Sequence, residues 1–328
     1  MGKMVSIICL TYNHEPYIAD AIEGFLRQKT NFDFEILIGE DHSQDGTLKI
    51  IESYKKKYPD KIKIITSSEN VGAKANALRI IPHVKGKYIA LCEGDDYWTD
   101  ILKLQKQVDY MEAHPACTLC FHNADVVDYD KSLLGRRHIP WTKQNAPYYY
   151  GENHEYNVGE LALLDFIPTA SLLIRTTCMS SLPEFFYEAV AGDIVIRLAV
   201  TSKGYAYYID DVMSAYRTNV PQSATNVMNN ASESIEGKMA YNKKFIYLLD
   251  EIDKYTNRQY SKELERAKIN RWEGPLLVEQ GRLKELKSER YRSFFNSLDP
   301  VSKMKCNLKY YAPTLFGALK SAKKYINR

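Results

Sequence analysis

Over the first hundred residues, short and mostly apolar runs alternate with longer stretches in which apolar residues return every three or four positions. Val5 to Leu10 is a continuous apolar run ending at Thr11, which predicts a strand buried on both faces. From Tyr17 to Gln28, Ile18, Ala21, Ile22, Phe25 and Leu26 share one helical face. Phe34 to Ile38 is a second strand. Asp45-Gly46-Thr47 opens a second helix that runs through Leu48, Ile51 and Tyr54 towards Pro59. Ile62 to Ile65 is a third strand, Asn70-Val71-Gly72 leads into a helix reaching about Pro82, and Tyr88 to Cys92 is a fourth strand. Such alternation predicts a mostly parallel sheet with helices on both faces.

The pattern then loosens. Leu102 to Met111 reads as helix and Thr118 to Val127 as strand, while residues 131–157, with Trp141 and Tyr148-Tyr149-Tyr150, read as irregular. Leu172 to Ile174 and Tyr205 to Ile209 are further strands, with Asp193 to Ser202 helical between them. Beyond about residue 228, Ile235, Met239, Phe245, Leu249 and Ile252 recur at helical spacing among charged residues. The expected organisation is an α/β domain over 1–225 and a helical C-terminal region over 226–328.

Composition changes this picture little. A net charge of +3 with no dense basic stretch in the first two thirds points away from nucleic acid as partner. Cys9 and Cys92 lie in apolar strands, and the Cys117–Cys120 pair has no second pair to complete a zinc site. A reduced, cytoplasmic setting is expected. No run approaches the ~20 apolar residues that span a bilayer.

In parallel sheets ligands bind beyond the carboxyl ends of the strands. Four polar clusters fall there: Thr11-Tyr12-Asn13, Glu40-Asp41, Ser67 to Asn70, and Glu93-Gly94-Asp95-Asp96. The last holds three carboxylates in four positions, whose mutual repulsion a divalent cation relieves. Mg²⁺ or Mn²⁺ there suits a diphosphate, because such ions complete their shells with phosphate oxygens. The plainer reading is a solvated turn before the helix near Thr99. Likewise, Asp41 to Thr47 alone reads as turn and capping chemistry.

Together these segments resemble glycosyltransferase family 2, whose members have the GT-A fold. The resemblance is carried by Val5 to Asn13, Glu40-Asp41 to Asp45-Gly46-Thr47, Asn70-Val71-Gly72, and Gly86 to Leu91 with its Glu93-Gly94-Asp95-Asp96 terminus. It covers roughly residues 4–218. It implies an inverting transfer of a sugar from a nucleotide-diphosphate donor, here expected to be a UDP-sugar, to an acceptor hydroxyl on a growing cell-surface glycan. Thr11, Tyr12 and Asn13 would line the nucleotide pocket, Asp41 would recognise the base, and Asn70 and Gly72 would shape the wall. Lys74 would reach the phosphates or remain a solvated lysine. Asp95 would hold Mg²⁺ or Mn²⁺, Glu93 would meet ribose or metal, and Asp96 would face the donor sugar or the metal's outer shell. Glu93 departs from the family's Asp-x-Asp signature.

Ala191-Gly192-Asp193 resembles the segment carrying the family's base, which makes Asp193 the expected proton acceptor, with Glu184 as fallback and a simple N-cap as the structural alternative. Arg217 would pair with the pyrophosphate, or with Asp210 or Asp211. A sugar-nucleotide binding protein or a nucleotidyltransferase are the competing readings. The latter would carry a Gly-rich loop after the first strand, where Thr11 to Glu15 has no glycine. Residues 309–328 are basic and amphipathic, which suits either peripheral contact at the inner face of a membrane and a lipid-linked glycan acceptor, or ordinary packing.

Overall fold

The computed structural model describes residues 2–139, 149–164, 167–221, 223 and 234–317. The predicted alternation is present: β1 (Val5–Thr11), α1 (Ile18–Leu26), β2 (Phe34–Glu40), α2 (Thr47–Lys57), β3 (Ile62–Ile65), α3 (Ala73–Ile80) and β4 (Tyr88–Leu91). β5 (Tyr97–Trp98), α4 (Lys103–Ala113), β6 (Cys117–Val127), β7 (Leu133–Arg137), β8 (His154–Tyr156) and α5 (Val158–Leu163) follow. Next come β9 (Leu173–Arg175), α6 (Gly192–Thr201) and β10 (Tyr205–Arg217). The C-terminal region is helical: α7 (Ile235–Tyr255), α8 (Ser261–Lys268), α9 (Gly274–Gln280), α10 (Leu283–Leu286), α11 (Glu289–Ser297) and α12 (Pro300–Tyr311), with a π-helical turn Ile269–Glu273 joining α8 to α9.

One sheet runs β3-β2-β1-β4-β9-β6-β10-β5, with β7 on β6 and β8 on β10. The first four strands are parallel, β9 is antiparallel to both its neighbours, and β6 and β10 are parallel to each other. Period-two alternation sends Ile7, Ile36 and Ala90 to one face, against Ile18, Ile22 and Phe25 of α1 and Leu104 and Val108 of α4. Ile8, Leu37 and Ile89 go to the other face with Ile80 of α3. At about 1.5–3 kcal/mol per fully buried side chain, this two-sided burial is what fixes the register. Farther along, Phe121 and Tyr208 share a core with Leu161 of α5, Val195 of α6, Phe245 of α7 and Leu264 of α8. The first C-terminal helices are thus built into the same core as the sheet. A smaller cluster, including Ile269, Leu277, Leu286 and Cys306, holds the last helices together.

Several stretches differ from the sequence expectation. Residues 131–157 are not wholly irregular, since they carry β7 and β8; residues 140–148, with Trp141 and Tyr148, lie outside the described residues. β10 continues past Ile209 to Arg217, because register shifts against β6 around Asp210 and Asp211 accommodate two polar residues without ending the strand. All six cysteines are buried.

Lys103 is fully buried, donating to Gln107 Oε1 at 2.7 Å with its ammonium 4.2 Å from the Trp98 ring centre. Burial lowers its pKa to about 7. An unfolded lysine titrates near 10.4, so between about pH 7 and 10 the unfolded chain binds more protons, and this group's cost to stability shrinks as pH rises. Lys103→Met is therefore expected to be the more stable at pH 6.5 relative to its position at pH 8.5. The gap should narrow by up to about 1.4 kcal/mol per pH unit in urea unfolding. Parallel curves for the two proteins would show that the ammonium carries no such penalty.

Candidate active site

The loops beyond β1, β2, β3 and β4 meet at one edge of the sheet and are stitched together by hydrogen bonds. The Asn13 amide donates to Ser43 Oγ at 3.0 Å, and Asn13 Oδ1 accepts from the Gln44 amide at 2.8 Å. Asn13 holds φ +53°, a left-handed turn that Asn tolerates. The His14 amide donates to Thr47 Oγ1 at 2.8 Å, and the Gly94 amide to the Leu10 carbonyl at 2.8 Å. The buried Asp41 carboxylate accepts from the Val71 amide at 3.0 Å and the Gly72 amide at 2.8 Å, and from Arg79 at 3.3 Å. Asn70 Oδ1 also accepts from the Gly72 amide, at 3.1 Å. Asp41, Asn70 and Gly72 therefore form one unit, in which the carboxylate fixes the shape of the loop.

At the tip of β4 the chain turns so that Glu93, Asp95 and Asp96 crowd one another. Burial and the Asp95 charge push Glu93 up to about 8, Asp193 adds to the rise, and a hydrogen bond from Thr169 partly offsets it. Burial, then Asp95 and Glu93, raise Asp96 well above the usual carboxylate range. Asp96 Oδ1 accepts from the Arg217 amide at 2.8 Å. Among the described residues the Asp95 carboxylate accepts no hydrogen bond, and His14 Nε2 lies 4.0 Å from its Oδ2. Asp95 thus keeps lone pairs free for a ligand. No three His, Cys, Asp or Glu side chains among the described residues converge into a complete metal cage. Mg²⁺ or Mn²⁺ at a diphosphate does not need one, so the donor set fits such an ion with Asp95 as its protein anchor.

Asp193 stands in the first turn of α6, where the helix dipole favours a carboxylate. The N-cap is Ala191 and no side chain caps the helix, so Asp193 is not the cap. Its charge raises both Glu93 and Tyr241 of α7, so the carboxylate lies near each of them. Glu184 is exposed on the 3₁₀ turn Glu184–Tyr187. Beside this turn opens a cavity of about 370 Å³, lined by Phe185, Glu188 and Val190 on one side and Lys243, Lys244 and Tyr247 of α7 on the other.

The two cations expected at the pyrophosphate are engaged elsewhere. Lys74 donates to the carbonyls of Tyr187 (2.9 Å) and Ala189 (2.8 Å), and so ties α3 to the loop before α6. Arg217 has a fully buried side chain that pairs with Asp20 at 2.9 Å rather than with Asp210 or Asp211, and it donates to the Asp95 carbonyl. Its guanidinium lies over Tyr17 and Tyr97, at 4.7 and 5.2 Å. Arg217 therefore braces the acidic turn from behind. Thr11 is buried and Tyr12 half-buried at the same edge.

His14 and Asp20 were not apparent in the sequence as parts of this site. Burial lowers the pKa of His14, against the pull of Asp95 and Asp45, which favours a neutral imidazole. Among the described residues its Nδ1 and Thr11 Oγ1 are buried without a hydrogen-bond partner, and both face Gly94. A Cβ on Gly94 would come within 2.8 Å of His14 Nδ1 and 2.9 Å of Thr11 Oγ1. Gly94→Ala is expected to lower stability by about 1–3 kcal/mol, as overpacking does. It should also weaken Mn²⁺-dependent nucleotide binding in titration calorimetry; unchanged binding would show that the turn tolerates displacement.

Comparison with known proteins bears on this geometry. A family profile described as glycosyl transferase family 2 matches residues 6–176. An uncharacterized protein of Mycobacterium tuberculosis is 45% identical over 126 residues, 38% of this chain and 36% of its own length. The chain thus spans about a third of the mycobacterial relatives it matches. The putative teichuronic acid biosynthesis glycosyltransferase TuaG of Bacillus subtilis is 25% identical over 74% of this chain and 87% of its own. WfaP of Escherichia coli, a UDP-Glc:α-D-GlcNAc-diphosphoundecaprenol β-1,3-glucosyltransferase, is 37% identical over 34% of this chain and 42% of its own. Among solved structures, S. aureus TarS in complex with UDP-GlcNAc superposes with a TM-score of 0.62 at 18% identity, over 90% of this chain and 79% of that one. Mannosyltransferase PcManGT of Pyrobaculum calidifontis, in complex with GDP-Man and Mn²⁺, gives 0.50 at 14% identity over 94% and 87%. With a profile spanning more than half of its residues and the sheet of these structures, the chain belongs to glycosyl transferase family 2 and has the GT-A fold.

Proposed function

We propose that the chain is an inverting, metal-dependent hexosyltransferase that moves a sugar from a UDP-sugar to a hydroxyl of a lipid-linked, growing cell-surface glycan. The observation that supports this reading is the nearness of Asp193, in the first turn of α6, to the Glu93-Gly94-Asp95-Asp96 turn, where its charge acts on Glu93. Asp95 would hold Mg²⁺ or Mn²⁺, which when bound supplies positive charge for the departing diphosphate. Thr11, Tyr12 and Asn13 would border the nucleotide, with Asp41 shaping the Asn70–Gly72 wall against it. Asp193 would take the proton of the acceptor hydroxyl as that oxygen bonds to the anomeric carbon, and the carbon–diphosphate bond would break on the opposite face. The cavity between the Glu184–Tyr187 turn and α7 would receive the acceptor.

The donor is supported by the UDP-sugars named for WfaP and TarS, the ion by the Mn²⁺ of PcManGT, and the lipid-linked acceptor by the name of WfaP. Such an acceptor would be met at the inner face of the membrane; among the described residues no helix is long and apolar enough to cross one. The test is a panel of UDP- and GDP-sugars with and without Mn²⁺, read by thermal shift and by nucleotide release. UDP-sugar stabilisation that requires metal supports the reading; equal response without metal, or to no nucleotide sugar, would overturn it.

A further inference from the structure

Helix α12 joins the protein through Cys306, which is fully buried against the Leu277, Leu286 and Phe294 cluster. Its opposite face is apolar and bare. Val301, Met304 and Tyr311 are 53%, 61% and 70% exposed, and the half-buried Leu308 lies between the last two. Their spacing of three, four and three residues puts all four on one stripe. Leu315, 53% exposed, follows just beyond the C-cap at Ala312. Lys305 is exposed beside the stripe, while Lys303 donates to the Asn296 carbonyl and Lys309 to the carbonyls of Val278 and Glu279. From Pro300 to Arg328 the chain carries seven Lys or Arg and no Asp or Glu.

We propose that this face of α12 docks on an anionic phospholipid surface, its apolar stripe entering the headgroup boundary and Lys305 meeting lipid phosphates. The same spacing would suit a helix seam between two copies. Self-pairing, however, would bring two cationic segments together with no acid on either to offset them. An anionic bilayer supplies both the apolar medium and the opposite charge. The surface lies in the structure upstream of most of residues 309–328, of which 318–328 are outside the described residues. It stands independently of the transfer chemistry.

Vesicle flotation of the full chain tests it. Vesicles of phosphatidylcholine containing phosphatidylglycerol are expected to carry the protein, and pure phosphatidylcholine to carry it poorly. The double substitution Met304→Asp with Tyr311→Asp should weaken partitioning by at least about tenfold, and Lys305→Glu alone by a few-fold. Because these side chains are exposed, thermal stability and metal-dependent nucleotide release should stay at wild-type level. Wild-type protein that fails to float with the anionic vesicles, or a double variant that floats as well, would overturn the proposal. So would a dimer, seen by light scattering, that the double substitution splits.

Discussion

Asp193→Asn is expected to lower kcat by about 10²–10⁴-fold, the range typical of removing a general base, while nucleotide affinity stays within about twofold. The substitution keeps the shape of the side chain and removes its ability to accept the acceptor proton. Its structural cost should be small. Ala191, not Asp193, holds the N-cap position of α6, so what is lost is the favourable charge near the helix N-terminus, about 0.3–1 kcal/mol. A purely structural role would give the reverse pattern, a fall in melting temperature with turnover preserved. Glu184→Gln provides the internal comparison: that residue is exposed on its turn, and its variant should turn over at near wild-type rate. Full activity in Asp193→Asn, with loss in Glu184→Gln, would transfer the proton-accepting role.

The first half of the fold was legible because its strands are mostly apolar and are punctuated by polar clusters. β1, β2 and β4 could be read almost to the residue, and with them the edge at which ligands bind. What escaped was built by tertiary contact. β5 has two residues and exists only because Ser214 and Ala215 pair with it. β7 is exposed along its whole length, so it offers no hydrophobic alternation to detect. α5 did carry a signal, Asn157-Val158-Gly159-Glu160, which forms a capping box; its short apolar run amid irregular sequence hid it. The cations of the site show the clearest limit. Lys74 and Arg217 lie near the right segments, but a long flexible side chain has many partners within reach. Neither the Lys74 carbonyls at Tyr187 and Ala189 nor the Arg217–Asp20 pair leaves a trace in local pattern. His14 was equally silent, since its place beside Asp95 depends on how two loops cross.

Asp95→Ala should abolish Mn²⁺-dependent UDP binding and cut kcat/KM by about 10³-fold or more, since a metal ion contributes several kcal/mol of charge stabilisation in such reactions. The same substitution should not destabilise the metal-free protein. Asp95 contributes to raising both Glu93 and Asp96, so deleting its charge relieves repulsion in the turn. A melting temperature equal to or slightly above wild type is expected without ligand. With Mn²⁺ and UDP, the wild type should gain stability by mass action and the variant should gain none. That divergence separates a ligand-holding carboxylate from a structural one, because a structural Asp95 would lower the ligand-free melting temperature and leave the ligand response in place. Asp96→Ala supplies the contrast. Its carboxylate accepts from the Arg217 amide deep in the turn, so its loss leaves a buried donor unpaired, at about 1–3 kcal/mol even before ligand is added. If Asp95→Ala instead melts early and still binds Mn²⁺-UDP, the cation is held by other groups, and the chemistry assigned to this edge of the sheet fails with it.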